Sequence, residues 1–428
     1  MADYYVHTTG SDSASGAIDA PFITLQKAFD TVSNNDRVIV YAGTYQDKSI
    51  GNVSATGIKL CSFGDGLVVI DGSSGSGSFH GNTIVPSNTW VIDGSTGSNL
   101  QNIEIIGGSH SCVGPTSATN KSFSVKHVIL TGHGDQTVDN DANRTIYGTY
   151  KGSTSTQRNC VFRNIRTTAI RGGTGYVRAH NNLIYGCGSA TSNGPIISSV
   201  HNSSEIYFNT IAGCSGSHGI DLGGSGGEAK NNLLAFNRFS DVAVIAPTAK
   251  LLNNNVYTDL TAPSNGAYIT SDSGSLSDTN LTVDPVFKFT TPWDELSGSD
   301  VRGDFNLTPG EYHYSGSQRA HSQASGLVGV GVHIATLTTD FSGSSRGNPP
   351  TIGALGDVGA STFAFSILPD TITTTKVLAD FTINHFNRIS GEHPRNVDQI
   401  PFGKAVVGPS NLKDRTTAYK LEKGKEGS

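Results

Sequence analysis

A run of near-copies between Asn159 and Tyr257 limits what this chain can become more than any other stretch. NCVFRN at 159–164, NLIYGC at 182–187, NTIAGC at 209–214 and NLLAFN at 232–237 share one pattern, and NVYTDL follows at 255–260. Each opens on Asn, alternates apolar side chains, and turns at a small or polar residue. The leading asparagines stand at 159, 182, 209, 232 and 255, in steps of 23, 27, 23 and 23 residues. A period in the low twenties with one short strand per repeat marks a solenoid. A six-residue strand cannot bury its apolar face alone, but stacked once per turn it shares a core and a hydrogen-bond ladder with its neighbours. The pattern predicts a parallel β-helix. The competing fold, an open antiparallel sandwich, has no reason to keep the spacing. The repeated Asn is expected at one corner of every coil, bonding the Asn above and below and capping left-handed turn backbone. Cys187 and Cys214 hold one place in their repeats, and Asn164 and Asn237 take that place in the flanking ones. They read as a stacked layer at a turn, not as a disulfide.

Composition fits such a chain. There are 52 glycines in 428 residues, which suits coils with about three bends each. Charged residues are 15% and the formal net charge is −6, so nucleic acid is not an expected partner, and a strongly anionic glycan is mildly disfavoured. Five cysteines at irregular spacing form neither a zinc pattern nor a dense disulfide framework. No run of 18 apolar residues occurs, so no membrane insertion is expected. MADYYVHTTG has no basic region followed by an apolar one, so the chain reads as made in a cytoplasm, or as having lost a leader.

Three regions follow. Residues 1–35 hold a strand, DYYVHTT, and an amphipathic helix over 21–32 whose Phe22, Leu25, Ala28, Phe29 and Val32 share one face. That helix is expected to lid the first coil, which would otherwise present its core and strand edge to water. Residues 36–359 carry the β-helix. Its pattern breaks at 134–158, where the chain holds either a side loop or a poorly marked coil. Residues 360–428 are charged and proline-bearing and cannot form a core alone. Phe386, Ile389, Ile400, Phe402, Val406 and Val407 mark them as a C-terminal extension or docking arm.

Two pieces go beyond periodicity. Residues 4–45 combine Gly10-Ser11-Asp12, the Pro21–Thr24–Gln26–Ala28 helix and the Val38–Val40–Gly43–Thr44–Tyr45 strand and turn; Pro350-Thr351-Ile352-Gly353-Ala354 stands near the other end. Together they resemble the opening and closing segments of pectate-lyase-like right-handed parallel β-helix proteins. The resemblance implies an all-β fold, a single-stranded right-handed parallel β-helix with a short N-terminal capping helix. It is poor in activity, because the family spans lyases, glycoside hydrolases, epimerases, phage tailspikes and members of no known activity.

Lyase members of that family commonly carry a calcium-binding acidic cluster and an Arg or Lys base, and hydrolase members carry two or three Asp on adjacent coils. Three groups here bear on this. Asp135, Asp139 and Asp141, with His133, are the candidate metal ligands, calcium being the ion that oxygen donors favour; a solvated loop reads equally well. Arg163, Arg166, Arg171, Arg178 and His180 form a basic group, from which Arg171 and Arg178 are candidates to meet across a bend and serve elimination. His201, Glu205, His218, Asp221 and Glu228 form the third. From it, Asp221 with Asp241 one coil on is the candidate carboxylate pair, since hydrolysis needs two such groups about 5–10 Å apart and coils stack at about 4.8 Å.

The lack of a leader, the lack of an appended carbohydrate module and the C-terminal arm together favour a virion protein of a tailed phage, a surface decoration or receptor-binding spike. Its expected partners are other virion proteins through the arm, two further copies in a homotrimer, and a cell-surface polysaccharide. The alternative is a polysaccharide depolymerase, lyase or hydrolase, acting outside the cell.

Overall fold

The computed structural model describes residues 1–276 apart from short intervals, the longest at 133–145 and 258–268, together with residues 329–354. The coils and the 329–354 segment belong to one compact unit, Met1–Ala360; Ser361–Ser428 lie outside the described residues, as does the proposed docking arm.

Three parallel sheets run the length of the coils, with eleven, nine and nine strands among the described residues. The first sheet extends from Asp3–Val6 to Ser275–Leu276, the second from Ile50–Gly51 to Ile269–Ser271, and the third from Gly43–Tyr45 to Asn255–Tyr257. From Arg37–Val40 onward each strand pairs with the strand three further along the chain. This is a single-stranded parallel β-helix, with the right hand that parallel crossovers take. The five near-copies supply consecutive strands of the third sheet, Val161–Arg163 through Asn255–Tyr257. The 134–158 stretch holds a poorly marked coil, since Tyr147–Tyr150 and Thr154–Arg158 are strands of the second and first sheets.

Inward side chains stack in rows. Tyr45, Ile70, Ile105, Leu130, Phe162, Ile184, Ile211 and Leu234 are register partners down the third sheet, and all are buried in one core. Ile170, Ile197 and Ile220 form the matching row of the second sheet. The helix spans Leu25–Thr31, shorter than the 21–32 expected, because Thr24 takes the N-cap and accepts the Lys27 amide. Pro21 and Phe22 stay outside it, with Phe22 bridged to Val6. Leu25, Ala28 and Phe29 enter the main core, and Phe29 stacks on Trp90 at 4.9 Å, so the helix closes the start of the stack.

The turn from the first sheet to the third carries two asparagine columns. In the inner one, Oδ1 of Asn209 accepts from both the amide and Nδ2 of Asn182, at 3.0 and 2.9 Å; Asn232 does the same for Asn209, and Asn254 for Asn232. The second Nδ2 hydrogen goes to a backbone carbonyl, of Gln157, Ala179, Ile206 or Ala229. Every rung is satisfied and fully buried. In the outer column His127, Asn159, Asn181, Phe208 and Asn231 hold left-handed backbone, φ 51–57°. Two expectations need correction. Asn159 lies in the outer column and Asn255 in a strand, so the inner rungs beside them are Cys160 and Asn254. Paired asparagines at 181–182 and 231–232 and a run at 253–255 make an alignment on the leading letter slip by one. The slot of Cys187 is likewise filled by Ile165, not Asn164, as the Gly188 amide to Ile165 carbonyl bond sets. Cys187 and Cys214 are buried free thiols in matching slots.

Residues 329–354 form no coil among the described residues; they lie as a strap over the outer column. Thr339 accepts from Arg158 and Asn181, Val332 exchanges two 2.8 Å bonds with the Asn231 side chain, and the Ala354 amide donates to Thr210 Oγ1. Leu337 packs with Tyr207 and Phe208. Arg346 donates to Asn181 Oδ1 and to the carbonyls of Gly353 and Ala354, with its guanidinium 3.9 Å from the Phe208 ring centre. Phe208 is the apolar member of the left-handed column, and its strained backbone places its ring under the strap.

Replacing Asn209 by Ala leaves buried donors of Asn182 and a buried carbonyl of Ala179 without partners. The loss is expected to be roughly 2–4 kcal/mol in urea unfolding, against less than about 0.5 kcal/mol for the exposed Asn202→Ala.

Candidate functional site

The second sheet carries the most chemistry on its outward side. Beside its buried row Ile170, Ile197 and Ile220 runs a second row of register partners, Tyr150, Arg171, Ser198 and Asp221. The sequence named Arg171 and Asp221 as members of different sites; the ladder brings them into one line with Ser198 between. Two coil steps separate them, about 10 Å.

Arg171 is exposed and held from one side. Its Nη1 donates to the Tyr147 hydroxyl at 2.6 Å, and its guanidinium lies 5.1 and 5.8 Å from the ring centres of Tyr147 and Tyr150. Those two rings stack at 4.4 Å, and His110 stands edge-on to both. At the other end of the row Asp221 is half-buried. Its Oδ1 is buried with no hydrogen-bond partner among the described residues. Burial raises its carboxyl above the ordinary range, and His218, three residues earlier on the same strand, partly offsets this.

Asp241 does not stand opposite Asp221. Its register partner is His218, while Asp221 pairs with Ala243, and the register shifts between them. The expected carboxylate pair is therefore a diagonal one at the level of the backbone. Arg178 is not joined with Arg171. It lies in the first sheet, contacts Glu205 at 3.5 Å and sits over the Tyr176 ring at 4.8 Å. The bend puts the two arginines on different sheets with different partners. Asp135, Asp139 and Asp141 lie outside the described residues. Among the described residues no group of three or more His, Cys, Asp or Glu converges as a metal site requires. Arg163, grouped with the basic residues by sequence, is buried, ion-paired to buried Glu104 and bonded to Thr131.

The first sheet holds a second polar cluster, of which the sequence pointed to His180, Glu205 and Glu228 but not to Tyr207 or Lys230. Glu205 and Glu228 are register partners on adjacent coils. Glu205 Oε2 lies 3.3 Å from His180 Nε2; Glu228 Oε2 accepts from the Tyr207 hydroxyl at 2.7 Å and meets Lys230 at 2.6 Å. The His180 and Tyr207 rings lie flat on one another. Burial pushes the His180 pKa down, against Glu205, and the contact with His180 holds Glu205 below its ordinary value. Each carboxylate here is matched by cations and donors, the mark of a structural network. Tyr147, Tyr150 and His110 were missed because sheet positions one and two coils apart have no sequence spacing in common.

No protein-family model matches the chain, and no curated protein matches it. Among solved structures it is similar to the pectate lyase Pel9A, with 15% identity over 83% of this chain and 96% of that one and a TM-score of 0.44. It is also similar to XylC solved with xylose, at 13% identity over 64% and 68%, TM-score 0.44, and to a lacto-N-biosidase from Eubacterium ramulus, at 10% identity over 66% and 68%, TM-score 0.37. Likenesses of this size add nothing to the architecture that the chain's own ladders give.

The two carboxyl clusters differ in sign with pH. A folded-state pKa raised above the unfolded one, as for Asp221, contributes stability that is present below the unfolded value and lost as pH rises through the folded one. A lowered pKa, as for His180 and Glu205, contributes stability present above the unfolded value and lost as pH falls. Asp221→Asn is therefore expected to raise the melting temperature at pH 7, and His180→Gln to flatten the loss of stability below about pH 6.5, both read by thermal unfolding across pH.

Proposed function

We propose that the chain acts on a saccharide polymer laid along the outward face of the second sheet, with Arg171 gripping it and Asp221 handling a proton. The observation that carries this is Asp221 itself. A carboxyl oxygen that is buried and without a hydrogen-bond partner among the described residues costs stability, whereas a carboxyl kept for structure is ordinarily partnered. Burial, by raising the Asp221 pKa, favours the protonated form that can give a proton to a leaving oxygen. Arg171, two coils away, supplies a planar donor fork for hydroxyl or carboxylate groups of the same polymer. The Tyr147 and Tyr150 rings beside it add faces against which sugar C–H groups pack.

Donation of the Asp221 proton to the glycosidic oxygen lets that oxygen leave as a hydroxyl in both reactions, by breaking its bond to the anomeric carbon in hydrolysis and its bond to the ring carbon β to the carboxylate in elimination. In hydrolysis, water adds to the anomeric carbon and returns a proton to a base, for which Asp241 is the nearest acidic position along the sheet. In elimination, a base removes a ring proton beside a carboxylate and a double bond forms in its place. A virion spike is the other function proposed for this chain; the docking arm it invokes, residues 360–428, lies outside the described residues, whereas Asp221 favours the saccharide reading.

The test is incubation with a panel of neutral and uronate-containing polysaccharides, reading new reducing ends and absorbance of unsaturated product. Activity is expected in the wild type, a loss of about 100-fold or more in Asp221→Asn, and weakened substrate binding in Arg171→Ala. Full activity in Asp221→Asn, or no binding or cleavage of any polymer by the folded wild type, overturns the proposal.

A further inference from the structure

We propose that His110 is a positioning residue that fixes the orientation of Arg171, and the inference rests on the assignment of Arg171 to the saccharide face. The hydrogen bonds behind it determine one another. Asn82 is buried, and its Nδ2 donates to the Gly114 carbonyl at 2.7 Å. Its Oδ1 is thereby the acceptor end, taking the Ser111 hydroxyl at 2.7 Å and facing His110 Nδ1 at 2.8 Å. An amide oxygen has no proton to give, so His110 carries its proton on Nδ1. That bond fixes the rotation of the imidazole.

The fixed ring meets Tyr150 at 4.4 Å and 89°, and Tyr147 at 5.3 Å and 69°. Both are edge-to-face contacts, in which a positive ring edge meets a negative face. The two tyrosines stack at 19° to each other, so seating one seats the other. The Tyr147 hydroxyl is then at a set place to accept Arg171 Nη1. The relay crosses four successive strands of one sheet, through Asn82, Ser111, Tyr147 and Thr168 in register. An exposed arginine on an open sheet face otherwise samples many rotamers, and each must be given up when a ligand binds. His110 removes that freedom beforehand without touching the ligand.

Three variants separate the parts. His110→Phe keeps the edge contact and loses the Asn82 bond, His110→Ala loses both, and Tyr147→Phe keeps the stack and loses the acceptor. The first readout needs no ligand: the side-chain Nε–Hε resonance of Arg171, assigned with Arg171→Lys, and its exchange rate with water. His110→Ala and Tyr147→Phe are expected to move the resonance toward that of a free arginine and speed exchange about tenfold, with His110→Phe between them and the wild type. The second is affinity for the best polymer from the panel, expected to weaken about tenfold in His110→Ala with kcat within about twofold, the pattern of lost preorganisation. An unchanged Arg171 resonance in a folded His110→Ala overturns the proposal. If that variant does not fold, an unchanged resonance in Tyr147→Phe overturns it, since that change removes one hydroxyl. A wild type that binds no saccharide defeats the functional reading, while the Arg171 resonance still decides for or against His110.

Discussion

Everything on the surface of this molecule depends on the side-chain amide that repeats at one corner of its coils. An asparagine there has two donors and one oxygen, and the inner column uses all of them: one hydrogen to the next rung, one to a carbonyl, and an oxygen that takes an amide and a side chain from the rung before. The rung is complete only if the next coil arrives at the same height and rotation. The column therefore sets the register of the sheets on both sides of it, and register is what lines Arg171 up with Asp221 although fifty residues of chain lie between them.

The two outward polar clusters show what register does with charge. On the first sheet it sets Glu205 beside Glu228 and then surrounds both with Arg178, His180, Tyr207 and Lys230, so that like charges in neighbouring rungs are each neutralised. On the second sheet it leaves Asp221 with a buried oxygen that nothing among the described residues answers. The difference is one of accounting within a single fold: the first arrangement strengthens the stack, the second weakens it. Proteins retain the second kind where a reaction needs it.

The architecture was legible in the sequence because its cause is local and repeated. A short apolar alternation returning every 23–27 residues has few folds open to it, and the apolar face of 22–32 told where the stack begins. The rung assignment slipped by one at Asn159 and Asn255, because the asparagines at 181–182, 231–232 and 253–255 look alike as letters while the inner rungs are Asn182, Asn232 and Asn254. The site was legible as residue types and not as a place. Asp221 and Arg171 were both singled out, yet their alignment depends on one step of 27 residues and another of 23 between them, and on which of three sheets each strand enters. The burial of Arg163 was hidden for a related reason: its partner Glu104 is two coils back, across a stretch where the repeat is hard to follow. His110 and the tyrosines gave no signal, since an outward aromatic in a strand looks the same whether or not a neighbour two coils away needs it.

The strap has a consequence for how the molecule comes into being. A stack of coils in contact only with their neighbours can assemble as it is synthesised, each turn settling on the one before. Here residues 329–354 return to four earlier coils, touching Arg158, Asn181, Phe208, Thr210 and Asn231. The left-handed corner those residues form has its outer bonds completed only after a further hundred residues have left the ribosome. Until then a half-built stack exposes Phe208 and the free ends of its outer asparagines along one edge, and that edge is where an unfinished chain is most exposed to pairing with the wrong partner.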